Sequence, residues 1–371
     1  MRIAFLSVFY PYRGGIAQFN AHLCEAMGQD GEVRVFNFSR QYPDFLFPGK
    51  TQYVTEQDKA MPVESTRILD SINPFSWRRT AREILRWKPD IVVFSYWMSF
   101  FAPAFGCVAS ALRRRGVKCV TVVHNAIPHE PKFFDKPLAR WFFRKNDLLV
   151  SMCDAVTADI RSLCPDARII QRPHPVYDHF GQKQDKAAAQ SALSLKPGLR
   201  TLLFFGLIRD YKGLDLLIDA LPLLGDSYQL VIAGESYGSF EKYQAQIDAS
   251  GCAGRIHVLN RYIDDEEVPG LFSAADLCVL PYRSATQSGI TAIALHFDLP
   301  LVATPVGGLA ESIERPGIGL MTEAISAEAI ARSIKAFFET GPDTFVENIR
   351  RAKANMTWPA FAETLLAGLT R

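Results

Sequence analysis

Residues 275–311 decide the fold, and they read ADLCVLPYRSATQSGITAIALHFDLPLVATPVGGLAE. The apolar run 277–280 ends at a proline, as expected of a strand buried in a parallel sheet. After a polar loop, Ser288 and Gly289 begin a segment whose apolar residues recur at helical spacing. A second apolar run, 299–304, leads into a tight Pro-Val-Gly-Gly turn. This order predicts a strand, a loop, a helix and a second strand, the repeating unit of a parallel α/β sheet.

The helix start at Ser288 and Gly289 has the chemistry of a phosphate site. The first N–H groups of a helix have no partner within the helix, and the helix dipole adds positive potential there. Gly289 has no side chain that would hold a phosphate away. A serine–glycine pair is also an ordinary helix cap, so the pattern leaves both interpretations open.

The composition indicates a globular protein of two domains in a reducing compartment. A length of 371 residues is enough for two cores, and the balance of 48% apolar and 22% charged residues is that of a soluble protein. The net charge of +2 argues against a nucleic-acid partner. The seven cysteines are scattered without a Cys-x-x-Cys pair, so neither a zinc site nor a disulfide framework is predicted.

The location that the sequence predicts is cytoplasmic. The first fifteen residues, MRIAFLSVFYPYRGG, lack the pattern of a signal peptide. The chain also has no apolar run of about 18 residues that would span a membrane. Peripheral contact with the inner face of a membrane stays open.

Alternating strand and helix patterns predict two doubly wound α/β halves. The first half covers 1–180 and the second 201–355, with the small, polar segment 181–200 as a linker. The final helix, within 356–371, is expected to pack back on the first half and to end at Gly368. Little structure is predicted for 39–75.

Ligands of doubly wound sheets bind outside the carboxyl ends of the strands. The segments that follow predicted strands are therefore the candidate site, and they are 10–15, 96–97, 124–125, 206–213, 234–235, 260–262 and 282–288.

Two cations, Arg209 and Lys212, lie in one of these loops and are candidates to clamp a diphosphate. The alternative interpretation is a solvated loop in which both cations are ordinary surface charges. Gly14 and Gly15 follow the first strand, where a glycine pair permits close approach of a ligand. An ordinary turn is the other interpretation, and the absence of G-x-G-x-x-G spacing argues against a dinucleotide enzyme.

His124 ends an apolar strand, where an imidazole can donate a hydrogen bond or carry a proton. A purely structural histidine is the competing interpretation. The sequence has no G-x-S-x-G, HExxH or Walker pattern, and no metal site is predicted.

Five ordered segments resemble the retaining glycosyltransferases of the GT-B fold, family four. They are GGIAQF (14–19), FFGLIRDYKGLDLLIDA (204–220), VIAGE (231–235), RYIDDEEVPGLFSAADLCVLPY (261–282) and PLVATPVGGLAE (300–311). HNAIPHE (124–130), HPVYDHFG (174–181) and YRSATQSG (282–289) are similar to one bacterial branch of that family. The resemblance implies two Rossmann-like domains that face a central cleft.

The implied activity is transfer of a sugar, a hexose, from a nucleotide-diphosphate sugar with retention at the anomeric carbon. The resemblance implies His124, Arg209 and Lys212 as catalytic residues: His124 and Lys212 match the family's positions, whereas Leu207 holds the place of the family's arginine and Arg209 is its expected substitute. No metal and no further cofactor are implied, because the two cations and the helix start would stabilise the charge of the departing diphosphate. The donor would bind mainly to the second domain and the acceptor mainly to the first. The donor-binding residues that the resemblance and the strand ends predict are Gly14, Gly15, Gly206, Glu235, Arg261, Tyr262, Thr286, Gln287, Ser288, Gly289 and Ile290.

One departure from the family concerns two glutamates that contact the donor sugar and the ribose. Their places hold Ala285 and Ile293, which cannot accept hydrogen bonds through their side chains. We expect Thr286 and Gln287 to take over contacts with the sugar. A GT-B-like protein that binds a nucleotide or a sugar with little turnover and a sugar-nucleotide epimerase are the alternatives.

The acceptor is expected to be a sugar or a lipid-linked saccharide in bacterial cell-surface polysaccharide or glycolipid synthesis, by family analogy. Basic and aromatic residues alternate in 75–87 and 132–145. These segments either contribute aromatic residues to the core and solvated charges to the surface, or form a patch for a membrane surface.

Overall fold

The computed structural model describes residues 1–43, 52–54, 61–128, 132–176, 180–285 and 288–370, and these residues form two compact units. The first unit comprises Met1–His174 and Thr357–Arg371, and the second comprises Pro175–Met356. Each unit has its own parallel sheet and its own apolar core. The prediction of an α/β fold with two Rossmann-like halves is therefore confirmed.

The first unit contains a seven-stranded sheet with the order β3-β2-β1-β4-β5-β6-β7. Every neighbouring pair in it is parallel. The strand order reverses between β1 and β4, which are neighbours although two strands separate them in the chain. The strands are β1 (Arg2–Leu6), β2 (Glu32–Arg40), β3 (Ser65–Asp70), β4 (Ile91–Tyr96), β5 (Lys118–Val123), β6 (Leu148–Ser151) and β7 (Ile169–Gln171).

Helices connect these strands, as parallel pairing requires. They are α1 (Gly15–Gly28), α2 (Pro74–Trp87), α3 (Ala102–Arg113), α4 (Asp135–Phe143), α5 (Asp154–Leu163) and the C-terminal α14 (Trp358–Thr370). Asn73 caps α2 by accepting a hydrogen bond from the Phe75 N–H, and Pro74 supplies a preset φ at the first helical position. Helices α2, α3 and α4 pack side by side, and α14 packs against α1.

The second unit contains a six-stranded parallel sheet with the order β10-β9-β8-β11-β12-β13. Its reversal lies between β8 and β11, which pair in parallel. The strands are β8 (Arg200–Phe205), β9 (Tyr228–Ala233), β10 (Ile256–Leu259), β11 (Leu277–Leu280), β12 (Leu301–Ala303) and β13 (Gly319–Met321). The helices are α6 (Lys186–Ala192), α7 (Leu214–Leu224), α8 (Glu241–Ala249), α9 (Val268–Ala274), α10 (Gly289–His296), α11 (Leu309–Ile313), α12 (Ala327–Thr340) and α13 (Pro342–Lys353).

Residues 181–200, predicted as a linker, belong instead to the second unit. Helix α6 packs against α9 there, and Lys186 pairs with Asp276. The Gln190 side chain also donates to the Ala274 carbonyl at 3.0 Å. The small, polar composition therefore belongs to a surface helix that is fixed by polar contacts rather than to a free connection.

The expected helix end at Gly368 is wrong, because α14 continues to Thr370. A Cβ atom on Gly368 would lie 2.5 Å from Ile170 Cδ1 and 2.8 Å from Leu148 Cδ2. The glycine therefore lets the helix approach strands β6 and β7 closely and does not terminate it. Within the described ranges, no helix is both long and apolar enough to cross a bilayer.

A buried polar network fixes the reversal in the sheet of the first unit. Asn20, on α1, donates from Nδ2 to Ser7 Oγ at 3.0 Å and to the Val8 carbonyl at 2.8 Å. Its Oδ1 accepts a hydrogen bond from Ser95 Oγ at 2.5 Å. One side chain thus connects α1, the end of β1 and the end of β4.

We expect Asn20→Ala to lower the free energy of unfolding by about 1–3 kcal/mol, since buried hydroxyl and carbonyl groups would lose their partner. Urea denaturation followed by tryptophan fluorescence measures the change. Glu25→Ala is the control, because Glu25 lies on the same helix and is exposed. Equal stability of both variants would contradict the structural role of Asn20.

Candidate active site

The reversal between β8 and β11 places two loops of the second unit side by side. One loop follows β8 and covers 206–213, and the other follows β11. In doubly wound sheets this position is where ligands bind, because the chain leaves the two strands toward opposite faces of the sheet. The predicted residues Gly206, Lys212 and Ser288 lie in these loops.

Lys212 lies against Gly206 and against the first turn of α10. A Cβ atom on Gly206 would be 3.1 Å from Lys212 Nζ and 3.2 Å from Ile290 Cδ1. Gly206 also has a φ of +97°, which favours glycine. The structure therefore brings Gly206, Lys212 and Ile290 together, and a side chain at position 206 would fill the space between the other two.

The Lys212 ammonium is buried without a counter-charge. The residue is 8% exposed, and no carboxylate in the described part of the chain forms an ion pair with it. Burial and, to a smaller extent, the positive charge of Arg209 lower the pKa of Lys212 to about 8, against an opposing effect of the Cys278 thiol. An anionic ligand at this position would restore a partner to the charged form.

Tyr282 connects Lys212 to the start of α10. The Lys212 Nζ lies 5.6 Å from the centroid of the Tyr282 ring, within the range of a cation–π contact. The Tyr282 hydroxyl is 3.3 Å from Ser288 Oγ. Burial raises the pKa of Tyr282, and the hydrogen bond with Ser288 opposes that shift. The phenol therefore stays neutral.

The start of α10 leaves room for a ligand. Ser288 occupies the N-cap position without a capping hydrogen bond from its side chain, and Gly289 is exposed. A Cβ atom on Gly289 would have no atom within 4 Å. The Thr291 hydroxyl, in the same turn, is buried and has no hydrogen-bond partner among the residues that are described.

Arg209 lies in the same loop as Lys212, but its side chain is turned to an aromatic ring. The guanidinium carbon is 4.2 Å from the centroid of the Tyr237 ring, and both residues are exposed. Its charge still reaches Lys212, as the lowered pKa of that lysine shows. Of the two predicted cations, Lys212 is thus fixed in place and Arg209 is at the surface.

Arg283 joins the two loops; it lies in the predicted segment 282–288, but no role was predicted for it. Its guanidinium donates to both carboxylate oxygens of Asp215, at 2.8 Å and 2.6 Å, and to the Asp210 carbonyl at 3.1 Å. Its own N–H donates to the Tyr211 carbonyl at 2.7 Å. The pair lowers the pKa of Asp215, chiefly through the hydrogen bond. Arg283 therefore ties the loop that holds Lys212 to the loop that follows β11.

The remaining predicted residues of the second unit lie at the ends of β9 and β10. The Glu235 carbonyl accepts a hydrogen bond from the Ile208 N–H at 2.8 Å, which attaches it to the Lys212 loop. Arg261 donates to Glu267 at 2.7 Å and 2.5 Å and to the Tyr262 carbonyl at 3.0 Å. The Arg261 side chain is thus engaged in an ion pair, while the Tyr262 ring is 38% exposed.

Gly14, Gly15 and His124 lie in the first unit. Gly14 has a φ of +122° and precedes α1, and Cβ atoms on either glycine would meet open space. His124 follows β5, and its ring centroid is 4.8 Å from that of Phe19. Burial lowers the pKa of His124 to about 3, and the charge of His174 adds to the shift. The imidazole is therefore neutral, and its Nε2 has no hydrogen-bond partner within the described ranges.

Thr286 and Gln287 lie outside the described residues, and so do His129 and Glu130 in the motif that follows His124. Ala285 is half-buried, and Ile293 is buried in the middle of α10. Asp215 is the site residue that sequence reasoning missed, whereas Tyr282 and Arg283 lay within the predicted segment 282–288 without a role of their own. An arginine three residues after a strand end and an aspartate in the first turn of the neighbouring helix were the available signal.

Comparisons with known proteins point to one class. Residues 199–340 match the family model described as glycosyl transferases group 1, and residues 13–177 match the model described as glycosyltransferase family 4. Anabaena HepE in complex with UDP superposes with a TM-score of 0.73 at 17% identity, and the match covers 100% of both chains. That likeness shows the fold, which is GT-B.

Two curated relatives match about half of the chain. The D-inositol 3-phosphate glycosyltransferase of Mycolicibacterium gilvum is 27% identical over 190 residues, 50% of this chain and 43% of the relative. The GDP-mannose:glycolipid 4-beta-D-mannosyltransferase of Xanthomonas campestris pv. campestris is 30% identical over 198 residues, 52% of this chain and 51% of the relative. The chain thus spans about half the length of these relatives. These relatives and the two family models, each of which matches less than half of the chain, show that the chain is similar to glycosyltransferases.

We expect Arg283→Met to loosen the Lys212 loop while it lowers the overall stability by less than about 1 kcal/mol, because the ion pair is partly exposed. Hydrogen exchange measured by mass spectrometry should show faster exchange in a peptide covering 209–213. Exchange in α12 should be unchanged. The control is Arg332→Met, which removes a pair with Glu323 elsewhere in the second unit. Wild-type protection of 209–213 in Arg283→Met would show that the arginine does not hold the loop.

Proposed function

We propose that this protein transfers a hexose from a nucleotide-diphosphate sugar to an acceptor, with retention at the anomeric carbon and without a metal ion. The observation that carries the proposal is the buried, unpaired ammonium of Lys212 beside Gly206 and the start of α10. A cation without a counter-charge at the reversal of a doubly wound sheet is suited to a diphosphate. The structure of HepE with UDP-glucose, a protein of the same fold, is in keeping with such a donor.

The chemistry follows from where charge develops. As the bond between the sugar and the phosphate breaks, the diphosphate gains negative charge. Lys212 and the N–H groups at the start of α10 stabilise that charge most at the transition state, so they accelerate departure of the nucleotide. Arg209 would add a second cation once its side chain leaves the Tyr237 ring. Two protein cations and a helix start thus take the role that a metal ion has in other transferases.

Retention is proposed from the family resemblance and needs no nucleophile from the protein. The acceptor hydroxyl attacks the face that the nucleotide leaves, and the departing phosphate accepts its proton. A neutral His124 has a buried Nε2 that can exchange hydrogen bonds with a sugar hydroxyl but carries no charge to the reaction. Its proposed role is therefore to position the donor sugar and not to transfer a proton.

The acceptor that we propose is a cell-surface glycolipid or polysaccharide. The name of the Xanthomonas campestris relative, a GDP-mannose:glycolipid mannosyltransferase, supports a glycolipid acceptor and a hexose donor. The sugar and the base are left to the measurement below.

The test is a thermal-shift screen with UDP, GDP, ADP, TDP and CMP, each with and without Mg²⁺. One diphosphate should stabilise the protein in both conditions, by about 2.7 kcal/mol at a concentration of about 100 times its Kd. Lys212→Ala should abolish the shift, whereas Lys335→Ala, an exposed lysine on α12, should retain it. Dependence of the shift on Mg²⁺ would overturn the metal-free site.

Donor hydrolysis with the matching nucleotide sugar then separates turnover from binding. Slow release of the sugar in wild type and none in Lys212→Ala supports a transferase. Tight binding without any release, with and without candidate acceptors, would instead indicate a binding protein. Release of an epimerised nucleotide sugar would instead indicate a sugar-nucleotide epimerase.

The affinity for the diphosphate should depend on pH through Lys212. The pKa of this lysine in the free protein is about 8, so the ammonium is present below that pH and is lost as pH rises. The second ionisation of a phosphate group has a pKa of about 6, so it is nearly complete at the pH at which Lys212 begins to lose its proton. We therefore expect the association constant to fall by about tenfold per pH unit above pH 8. Isothermal titration calorimetry measures the profile, and Lys212→Ala should bind weakly with no such slope.

A further inference from the structure

We propose that Lys212 is also a modification site, at which a small acyl phosphate acylates the side-chain amine while its phosphate group binds at the start of α10. The reagent class is the mixed anhydride of a carboxylic acid and phosphoric acid, and acetyl phosphate is the probe for it. The acylation itself does not depend on sugar transfer. Its consequence for donor binding rests on the proposed function.

Lys212 differs from the other lysines of the second unit in its surroundings. It is the one lysine that is buried among the residues that the structure describes. Three other lysines of this unit are held by carboxylates, in the pairs Lys186–Asp276, Lys242–Asp210 and Lys353–Asp298. Lys212 instead faces the ring of Tyr282 and the backbone of Gly206, neither of which holds its proton in place. Its nitrogen is therefore available to a reagent that reaches the loop.

The nucleophile in an acylation is the free amine, because an ammonium has no lone pair. Burial and, to a smaller extent, the charge of Arg209 lower the pKa of Lys212 to about 8. At pH 8 about half of the Lys212 side chains are thus free amines, against about one in three hundred for a lysine at the ordinary value of 10.5. Desolvation and a neighbouring cation are the two devices that activate lysine nucleophiles in enzymes.

The start of α10 offers a place for a phosphate beside this amine. Lys212 Nζ and Ile290 Cδ1 lie 3.1 Å and 3.2 Å from one point, the position that a Cβ atom on Gly206 would take. Ile290 belongs to the first turn of α10, where N–H groups and the helix dipole favour an anion. The Thr291 hydroxyl in that turn is buried and has no hydrogen-bond partner in the described part of the chain. A phosphate at the helix start would therefore lie close to the Lys212 amine.

This geometry favours an electrophile that carries its phosphate next to the reactive carbon. In an acyl phosphate a single oxygen joins the carbonyl carbon to phosphorus, so a bound phosphate presents that carbon to the neighbouring amine. A simple ester or thioester has no such group to position it. The space is also suited to a short acyl chain, because Gly206 has no Cβ atom and a Cβ atom on Gly289 would meet no atom within 4 Å.

The reaction is an acyl transfer that needs no oxidant, reductant or further reactant. The lone pair of the Lys212 nitrogen attacks the carbonyl carbon, and a C–N bond forms. The bond between that carbon and the bridging oxygen breaks, and its electron pair leaves with inorganic phosphate. The nitrogen gives up one proton to the phosphate or to water. The helix start stabilises the charge of the departing phosphate as it develops.

Acylation removes the charge on which donor binding is proposed to depend. The product is a neutral amide, so position 212 no longer offers a cation to a diphosphate. The acyl group also occupies the space beside Gly206. The modified protein is therefore expected to lose its affinity for nucleotide diphosphates, and the concentration of acyl phosphate would set the fraction of protein that binds a donor.

The experiment compares two lysines in one peptide. The full chain is incubated with acetyl phosphate at pH 8, then denatured, and its remaining amines are acetylated with deuterated acetic anhydride. Trypsin then cuts only at arginines, so that residues 210–255 form one peptide with two lysines, Lys212 and Lys242. Lys242 is the control, because it is exposed and paired with Asp210. Tandem mass spectrometry should show acetylation of Lys212 at least about tenfold faster, after allowance for the lower nucleophilicity of a weaker base.

Two further arms test whether a phosphate guides the reagent. Inorganic phosphate should slow the acetylation of Lys212 and leave that of Lys242 unchanged, because it competes for the helix start. The ester p-nitrophenyl acetate, which has no phosphate, should show a smaller preference for Lys212 over Lys242. Equal rates at the two lysines, no protection by phosphate, or an undiminished preference with the ester would each overturn the proposal.

Thermal-shift measurements separate this inference from the proposed function. Stabilisation by the nucleotide should fall in proportion to the acetylation of Lys212, and Lys212→Gln, a neutral mimic of the amide, should lose it. The exposed Lys335→Gln should keep it. If no nucleotide stabilises the unmodified protein while phosphate protects Lys212 from acetylation, the proposed function fails and the modification site stands. If a nucleotide stabilises the protein but Lys212 is not acetylated preferentially, the modification site alone is wrong.

Discussion

An ammonium group that is buried with no carboxylate partner among the described residues is the constraint on which the loops at the reversal of the second sheet depend. Burial of a charge is costly, and most proteins offset the cost with an ion pair. Here Lys212 instead lies between Gly206, the ring of Tyr282 and the start of α10. The parallel sheet makes this possible, because neighbouring strands direct two loops to the same edge. Under the proposed function the diphosphate supplies the counter-charge, and glycine at position 206 keeps that position open.

The fold could be predicted largely from apolar runs, because strands buried on both faces are continuous in sequence. Strand β11, for example, has the predicted boundaries, 277–280. The elements that the sequence did not reveal are short or weakly apolar, such as α11 with five residues and the half-buried β3. Helix α5 was missed too, because its few apolar residues are diluted by polar ones. Such elements owe their structure to neighbours in the fold, which no local pattern records.

The site could be predicted as a set of strand ends but not as a set of contacts. The rule for doubly wound sheets selected the loops that hold Gly206, Lys212 and Ser288, and these loops do adjoin. The rule says nothing of which side chain joins them, so Arg283 lay within the predicted segment 282–288 without a predicted role. It also gave Arg209 and Lys212 equal weight, although one is exposed against Tyr237 and the other is buried. Burial and pairing are tertiary properties, and they separate residues that look alike in sequence.

The ion pair between Arg283 and Asp215 limits how the sequence of this protein can change during evolution. The arginine belongs to the loop after β11, whereas its partner belongs to the helix after β8. The two loops therefore depend on each other for their conformation, although 67 residues, 216–282, lie between Asp215 and Arg283 in the chain. A loop transplanted alone from a homologue would arrive without its counterpart. Changes of ligand preference at this site would then require coordinated replacement on both sides of the reversal.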